Sequence, residues 1–197
     1  MTEVYALLLA AGSSTRFGAD KLRAELRGKA IGAHVTSTLG SAIARGVLAG
    51  GIAVVSPGNT SLETGRLTRV VNPDAGKGLS TSLNVGLAAL SDIEPPASGA
   101  LIVLADQPAL RVEVIEAVVA GWRRTHRSTR PRYAAAPDEP GHPVLLDRRD
   151  WLLADRLTGD QGLRQLLAGV EVTLVDVPGA NPDVDTPDDL RRLEETR

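Results

Sequence analysis

The stretch LLLAAGSSTRFGADK, residues Leu7 to Lys21, decides how this chain folds. Val4 to Leu9 is an uncharged, leucine-rich run, the pattern of a strand buried on both faces inside a parallel sheet. It empties into a loop of small residues that carries two cations, Arg16 and Lys21. A glycine-bearing loop after a first strand brings backbone N–H groups to phosphates, so a phosphate cradle is the reading to test. The two commonest cradles do not fit. A Walker loop needs its second glycine one residue earlier than Gly18 and a lysine where Ala19 stands. The dinucleotide pattern G-x-G-x-x-G fails at Ser14, which occupies the second glycine position.

Outward from this stretch, apolar runs alternate with helical patterns, which predicts βα units around a mainly parallel sheet. Helices are expected at Ile31 to Arg45, Leu79 to Leu90 and Val112 to Arg124, and strands at Gly51 to Ser56, Thr68 to Val71 and Ala100 to Asp106. The second half is less regular. YAAAP and HPVLLD read as two short strands around a turn at Glu139-Pro140-Gly141. Two short helices follow, Asp150 to Ala154 and Gln161 to Leu167, then the strand Val172 to Val177. Pro187 after Thr186 is a good first helical residue for the last helix. No repeat or linker interrupts the pattern, so one domain over residues 1–197 is expected.

Composition narrows the function classes. With 24 acidic and 22 basic residues the net charge is −2, which gives no case for nucleic-acid or membrane binding. The absence of cysteine excludes disulfides, thiolate metal sites and a cysteine nucleophile. No run approaches the ~18 apolar residues of a membrane span, and Met-Thr-Glu-Val lacks the basic start of a secretory signal. A cytoplasmic location is the expectation.

Ligands of open parallel sheets sit beyond the carboxyl ends of the strands. The Leu7–Lys21 loop falls there, and so does LADQP, where Asp106 ends the most apolar strand of all. Asp106 reads either as a cap for the next helix or as an acid over the same crevice as the loop. In VDTPDD, Asp188 and Asp189 read as dipole-favoured decoration of a helix start, while Asp185 is placed to face the crevice. Two cations on a backbone-rich loop and two separated acids point to a nucleoside triphosphate with Mg²⁺, which needs only one or two carboxylates beside phosphate oxygens.

At this point the residues resemble a known family. LLLAAGSSTRFGADK is similar to the nucleotidyltransferase signature L-A-A-G-x-S-x-R-hydrophobic-G-x-x-K. NPDAGKGLSTSL, LADQP, GHPVLL, GDQGLRQLL and DVDTPDDL follow in the order and spacing of the MobA-like group, with the molybdenum cofactor cytidylyltransferases as the best match within it. The resemblance runs from Leu7 to Leu190. It implies a three-layer α/β/α fold with a Rossmann-like, mainly parallel sheet. It also implies transfer of CMP from CTP to the terminal phosphate of a molybdopterin cofactor, with release of pyrophosphate and with a molybdenum hydroxylase as a partner.

Carried over by position, the resemblance implies that Leu9, Ala10, Ala11, Gly12 and Ser13 hold the nucleotide and that Arg16 and Lys21 bind its phosphates. Ser82 stands where related enzymes contact the base, and Asp106 and Asp185 match the metal-binding acids, so Lys21, Arg16 and Asp106 become the expected catalytic residues. His142, Pro143, Gly159, Asp160 and Gly162 are assigned to the acceptor, giving a nucleotide half of about 1–110 and an acceptor half of about 111–197. Ala10-Ala11, where guanylyl-transferring relatives tend to have Gly-Gly, implies a pyrimidine.

Two departures stand out. Gly28-Lys29-Ala30 replaces a usual Gly-Lys-Pro, and Leu79 stands where a methionine is common. Other phosphorylated acceptors, such as a sugar phosphate or an isoprenoid precursor, therefore stay open, as does a non-catalytic nucleotide-binding chaperone. The run WRRTHRSTRPR reads as a solvated, dipole-complementing helix end, or else as a docking patch for an anion or a partner oxidoreductase. Trp122 and Trp151 read as core residues.

Overall fold

The leucine run does become the centre of a sheet. In the computed structural model, which describes residues 3–12, 17, 20–59, 62–139 and 141–195, the first half runs β1 (Val4–Ala10), β2 (Glu25–Leu26), β3 (Lys29–Ala30), α1 (Ile31–Ala44), β4 (Gly50–Val55), β5 (Thr68–Val71), α2 (Leu79–Ser91), β6 (Gly99–Leu104) and α3 (Val112–Thr125). The second half adds β7 (Thr129–Tyr133), β8 (Val144–Asp147), α4 (Leu163–Leu166), β9 (Thr173–Val177) and α5 (Pro187–Glu195). The large sheet has the order β5-β4-β1-β6-β8-β7-β9. β1 pairs in parallel with β4 and β6, β4 with β5 and β7 with β9, while β8 runs antiparallel to both of its neighbours.

Strand periodicity explains the three layers. Val4, Ala6, Leu8 and Ala10 face α1 and α3, where Val35, Leu39, Ile115 and Val118 are fully buried. Leu7 and Leu9 face α2, together with Leu83 and Leu87 of that helix. The approach of α2 to β1 is close: a Cβ on Gly86 would lie 2.3 Å from Leu7 Cδ1, so only glycine lets the helix rest there. One turn earlier on the same face, Ser82 is thereby carried over the carboxyl end of β1.

Two expectations need correction, the strand at YAAAP and the helix at Asp150 to Ala154. The strand expected at YAAAP lies earlier, at Thr129–Tyr133, inside the arginine-rich run; residues 134–139 form turns instead. Pro131 is tolerated in β7 because beyond Thr129 the strand meets no further residue of β8. Its carbonyl instead accepts from Gly141 N at 2.9 Å. The Gly28-Lys29-Ala30 departure belongs to a hairpin that pairs β2 with β3, its two-residue turn Arg27-Gly28 having φ of 52° and 75°. The helix expected at Asp150 to Ala154 is a longer 3-10 segment, Arg148–Arg156.

Candidate active site

The first strand's loop, the end of β6 and the segment before α5 meet at one lysine. Lys21 Nζ donates to Asp106 Oδ2 at 2.6 Å and to Asp185 Oδ1 at 3.0 Å. Each partner is placed by its own local device. Asp20 Oδ1 accepts from Leu22 N at 3.2 Å and caps the turn Lys21–Arg23, whose Leu22 is buried. Ala105 N donates to Leu9 O at 3.1 Å, tying the ends of β1 and β6 just before Asp106. Val184, fully buried, donates its N–H to Asp106 O at 3.0 Å and so sets the segment that carries Asp185 against the first acid.

Electrostatics follow from this placement. Burial works to lower the Lys21 pKa, but the Asp106 and Asp185 carboxylates outweigh it and hold the ammonium form above its ordinary range. Asp106 Oδ1 is buried and has no hydrogen-bond partner among the described residues. A crevice of ≈ 520 Å³ opens beside these groups, walled on one side by Leu9, Ala10, Ala11 and Gly12. Ser82 and Asp160 line it on another side.

The second wall depends on a contact between backbones. Gly78, at φ 111°, precedes α2, and a Cβ there would lie 2.3 Å from the carbonyl carbon and oxygen of Gly159. Gly159 O accepts from Ser80 N at 3.1 Å and from Ser80 Oγ at 2.8 Å, so the start of α2 and the loop 158–162 hold each other. Asp160 reaches the crevice by this route, while Gly162 packs on Leu79. Beneath, fully buried Asn72 donates to Thr81 Oγ1 and to Ser82 Oγ, both at 2.9 Å, which fixes the serine hydroxyl. Asn72 was not singled out from the sequence; an asparagine ending a short strand carries no signal of its own.

His142 and Pro143 do not line the crevice. They belong to a polar cluster in which His142 O accepts from Tyr133 OH at 2.8 Å and from Asn181 Nδ2 at 3.4 Å. Burial, with Arg130 nearby, pushes the His142 pKa down to about 4, so the ring is neutral, and its Nδ1 is buried without a partner among the described residues. Asn181 Nδ2 also donates to Gln107 Oε1 at 3.2 Å, and Gln107 Nε2 donates to Asp183 Oδ1 at 2.5 Å. Gln107 and Asn181 are further site residues that sequence reasoning missed, Gln107 despite lying beside Asp106.

Asp189 needs correction too. Its Oδ2 accepts from Asp185 N at 3.2 Å, Thr186 N at 2.9 Å and Thr186 Oγ1 at 2.7 Å. It therefore holds the backbone of the acid-bearing segment, whereas Asp188 pairs with exposed Arg191. Thr186 followed three residues later by an acid is a capping-box signal, and it was legible.

Ser13 and Arg16 lie outside the described residues. The structure brings Leu9 to Gly12, Lys21, Ser82, Asp106, Asp160 and Asp185 to one crevice. The arginine-rich run is tied down in part: Arg127 pairs with Glu171, Arg132 with Asp176 at 2.6 Å, and Arg130 Nε donates to Gly141 O at 3.1 Å. Trp122 and Trp151 are buried core residues, donating to Asp147 Oδ2 at 2.8 Å and Leu146 O at 3.2 Å. Among the described residues, no helix is long and apolar enough to cross a membrane.

Comparisons with known proteins bear on the fold and the family. A sequence search among curated proteins finds no match. Rv0371c from Mycobacterium tuberculosis H37Rv is similar in structure, with a TM-score of 0.78 and 27% identity over 100% of both chains. Its complex with manganese gives 0.79 and 26%, again over 100% of both chains. Molybdopterin-guanine dinucleotide biosynthesis protein A from Archaeoglobus fulgidus shares the fold at a TM-score of 0.67, with 16% identity and 97% of each chain covered. The sequence pattern of the MobA-like NTP transferase domain matches residues 6–184, and the chain belongs to that family of nucleotidyltransferases.

Proposed function

We propose that this protein transfers CMP from CTP to the terminal phosphate of a molybdopterin-type acceptor in the cytoplasm, releasing pyrophosphate. The observation that carries the reading is Lys21 held between Asp106 and Asp185 at the mouth of a crevice whose other wall is the Leu9–Gly12 backbone. That is a place where a triphosphate can be cradled and its charge matched.

The donor set suits a divalent cation. Two carboxylates converge on one point, and Asp106 Oδ1 is buried without a partner among the described residues. Asp106 and Asp185 would hold Mg²⁺, which prefers one or two carboxylates with phosphate oxygens and water. Such an ion neutralises and orients phosphate oxygens when bound. In its absence Lys21 serves as the counter-ion of the two acids. A bound triphosphate offers Lys21 a stronger anionic partner, so the lysine turns from the acids to the phosphates and takes up charge as pyrophosphate leaves. Arg16 adds a second cation to that side. No side chain is needed as nucleophile, since the acceptor phosphate is already ionised and only has to be aligned.

Residues of about 1–110 bind the nucleotide in this reading, with Ala10, Ala11 and Ser82 around the base. Residues of about 111–197 receive the acceptor, with Asp160 nearest the nucleotide and His142, Pro143, Gly159 and Gly162 shaping that side. A molybdenum hydroxylase is the recipient that such a product implies. The test is pyrophosphate release by the purified chain with molybdopterin, Mg²⁺ and each of the four NTPs in turn. Fastest turnover with CTP is expected; preference for GTP, or release without any dependence on the pterin, overturns the assignment.

A further inference from the structure

Asp185 is not carried by any helix or strand: residues 178–186 have no regular structure. Its carboxylate nevertheless has to stay at the same point as that of Asp106, which lies in the turn two residues past the buried strand β6. Backbone contacts from Val184 and to Asp189 fix part of the segment. A further anchor, from the side of Asp106 itself, is Gln107, the next residue in the chain, which is only 4% exposed. Its amide is used at both ends, Nε2 donating to Asp183 Oδ1 at 2.5 Å and Oε1 accepting from Asn181 Nδ2 at 3.2 Å.

We propose that Gln107 is a positioning residue that clamps the segment 181–185 and so holds the Asp185 carboxylate in register with that of Asp106. This rests on the reading that the two acids share a divalent cation. The amide chemistry is specific. A glutamine is the one side chain of this length that donates to a carboxylate and accepts from an amide at once. Buried polar contacts of this kind are costly to leave half made, so an altered partner moves the segment or leaves Asp183 unsatisfied. Partners behind a metal ligand commonly govern affinity by roughly 10–100-fold.

The sign of one substitution separates the clamp from simple electrostatics. Gln107→Glu adds a negative charge beside the cation site, which by Coulomb attraction alone tightens cation binding. The clamp predicts the reverse, because the new carboxylate faces Asp183 at hydrogen-bond distance and pushes the segment away. The experiment is a titration of the full-length protein with Mn²⁺ alone, followed by calorimetry, with the thermal midpoint as the check on folding. Gln107→Glu is expected to weaken Mn²⁺ by about tenfold. The double variant Gln107→Glu/Asp183→Asn, which restores the charge and exchanges donor and acceptor, should return to within roughly threefold of wild type. Gln107→Met, neutral and of similar volume, should also weaken Mn²⁺ and keeps the test open if the glutamate variant does not fold.

Asp106→Asn tests the underlying reading separately. If it leaves Mn²⁺ binding intact, the metal assignment fails and the clamp loses its purpose. If Asp106→Asn abolishes binding while Gln107→Met and Gln107→Glu bind as wild type does, the clamp alone is overturned. Failure of the double variant to recover affinity overturns it as well.

Discussion

The two walls of the crevice are built by different physics. One is the carboxyl ends of β1 and β6, aliphatic and largely buried, whose positions follow from parallel pairing with register Leu9 to Leu104. The other is assembled from the loops 158–162 and 178–186, backed by residues 141–143 and held by side chains and single carbonyls: Gln107 on Asp183, Asp189 on Asp185 N, Ser80 on Gly159 O. The first wall needs only hydrophobic burial to exist, whereas the second fails contact by contact. Lys21 and Asp106 belong to the first wall, and Asp185 and Asp160 are delivered by the second.

The comparison breaks most visibly at Lys21, where the walls meet. Lys21→Met should cost about 10²-fold in kcat, the scale of losing one preorganised charge at a reacting phosphate, with little change in thermal midpoint. The same variant, without nucleotide, should bind Mn²⁺ more tightly than wild type, because the competing ammonium is gone. Calorimetric titration checks it, and unchanged affinity would place the cation elsewhere.

A methyl group at Gly78 tests whether the second wall depends on close backbone approach. Gly78→Ala must relieve a 2.3 Å contact at a φ of 111°, so it should lose roughly 1–3 kcal/mol by denaturant titration. Loss of nucleotide protection against heating should accompany this, since Ser82 and Asp160 flank the contact. Asp189 and Asp188 sharpen the comparison further. Asp189→Ala removes the acceptor of three donors and should lower the thermal midpoint, with several-fold weaker Mg²⁺ activation. Asp188→Ala, on the same helix turn but facing solvent, should match wild type in both measurements.

How much was legible tracks the same division. The run Val4 to Leu9, the strand at Ala100 and helices α1 to α3 could be read because burial leaves a trace in the sequence. Lys21, Asp106 and Asp185 could be singled out because they stand in loops beyond the strands and at positions of the motifs that the sequence resembles. The second wall left weaker traces. Pro131, Arg130 and Arg132 disguised β7 as part of a helix end, since a strand that pairs with β8 only at Thr129 tolerates both proline and charge. Gln107, Asn181 and Asn72 act through side-chain amides whose partners are 76, 74 and 10 residues away, a pairing that no local pattern encodes.

The smallest effect concerns pH. The His142 ring has a pKa of about 4 in the native state against 6.5 ordinarily, burial being the main cause. As pH falls from 6.5 toward 4, the unfolded chain takes up a proton that the native ring refuses, so this residue's share of stability is lost across that window. Thermal midpoints of wild type should therefore drop more steeply over the window than those of His142→Asn. Parallel curves would mean that the second wall is open to water at this point.

The central claim is that Asp106 and Asp185, one from each wall, act together in nucleotidyl transfer. Its most direct test is a Mg²⁺ titration of pyrophosphate release from CTP and molybdopterin by wild type, Asp106→Asn and Asp185→Asn. The account predicts Mg²⁺-dependent release by wild type and its loss in both variants, each still melting cooperatively. Release at the wild-type rate by folded Asp106→Asn contradicts it.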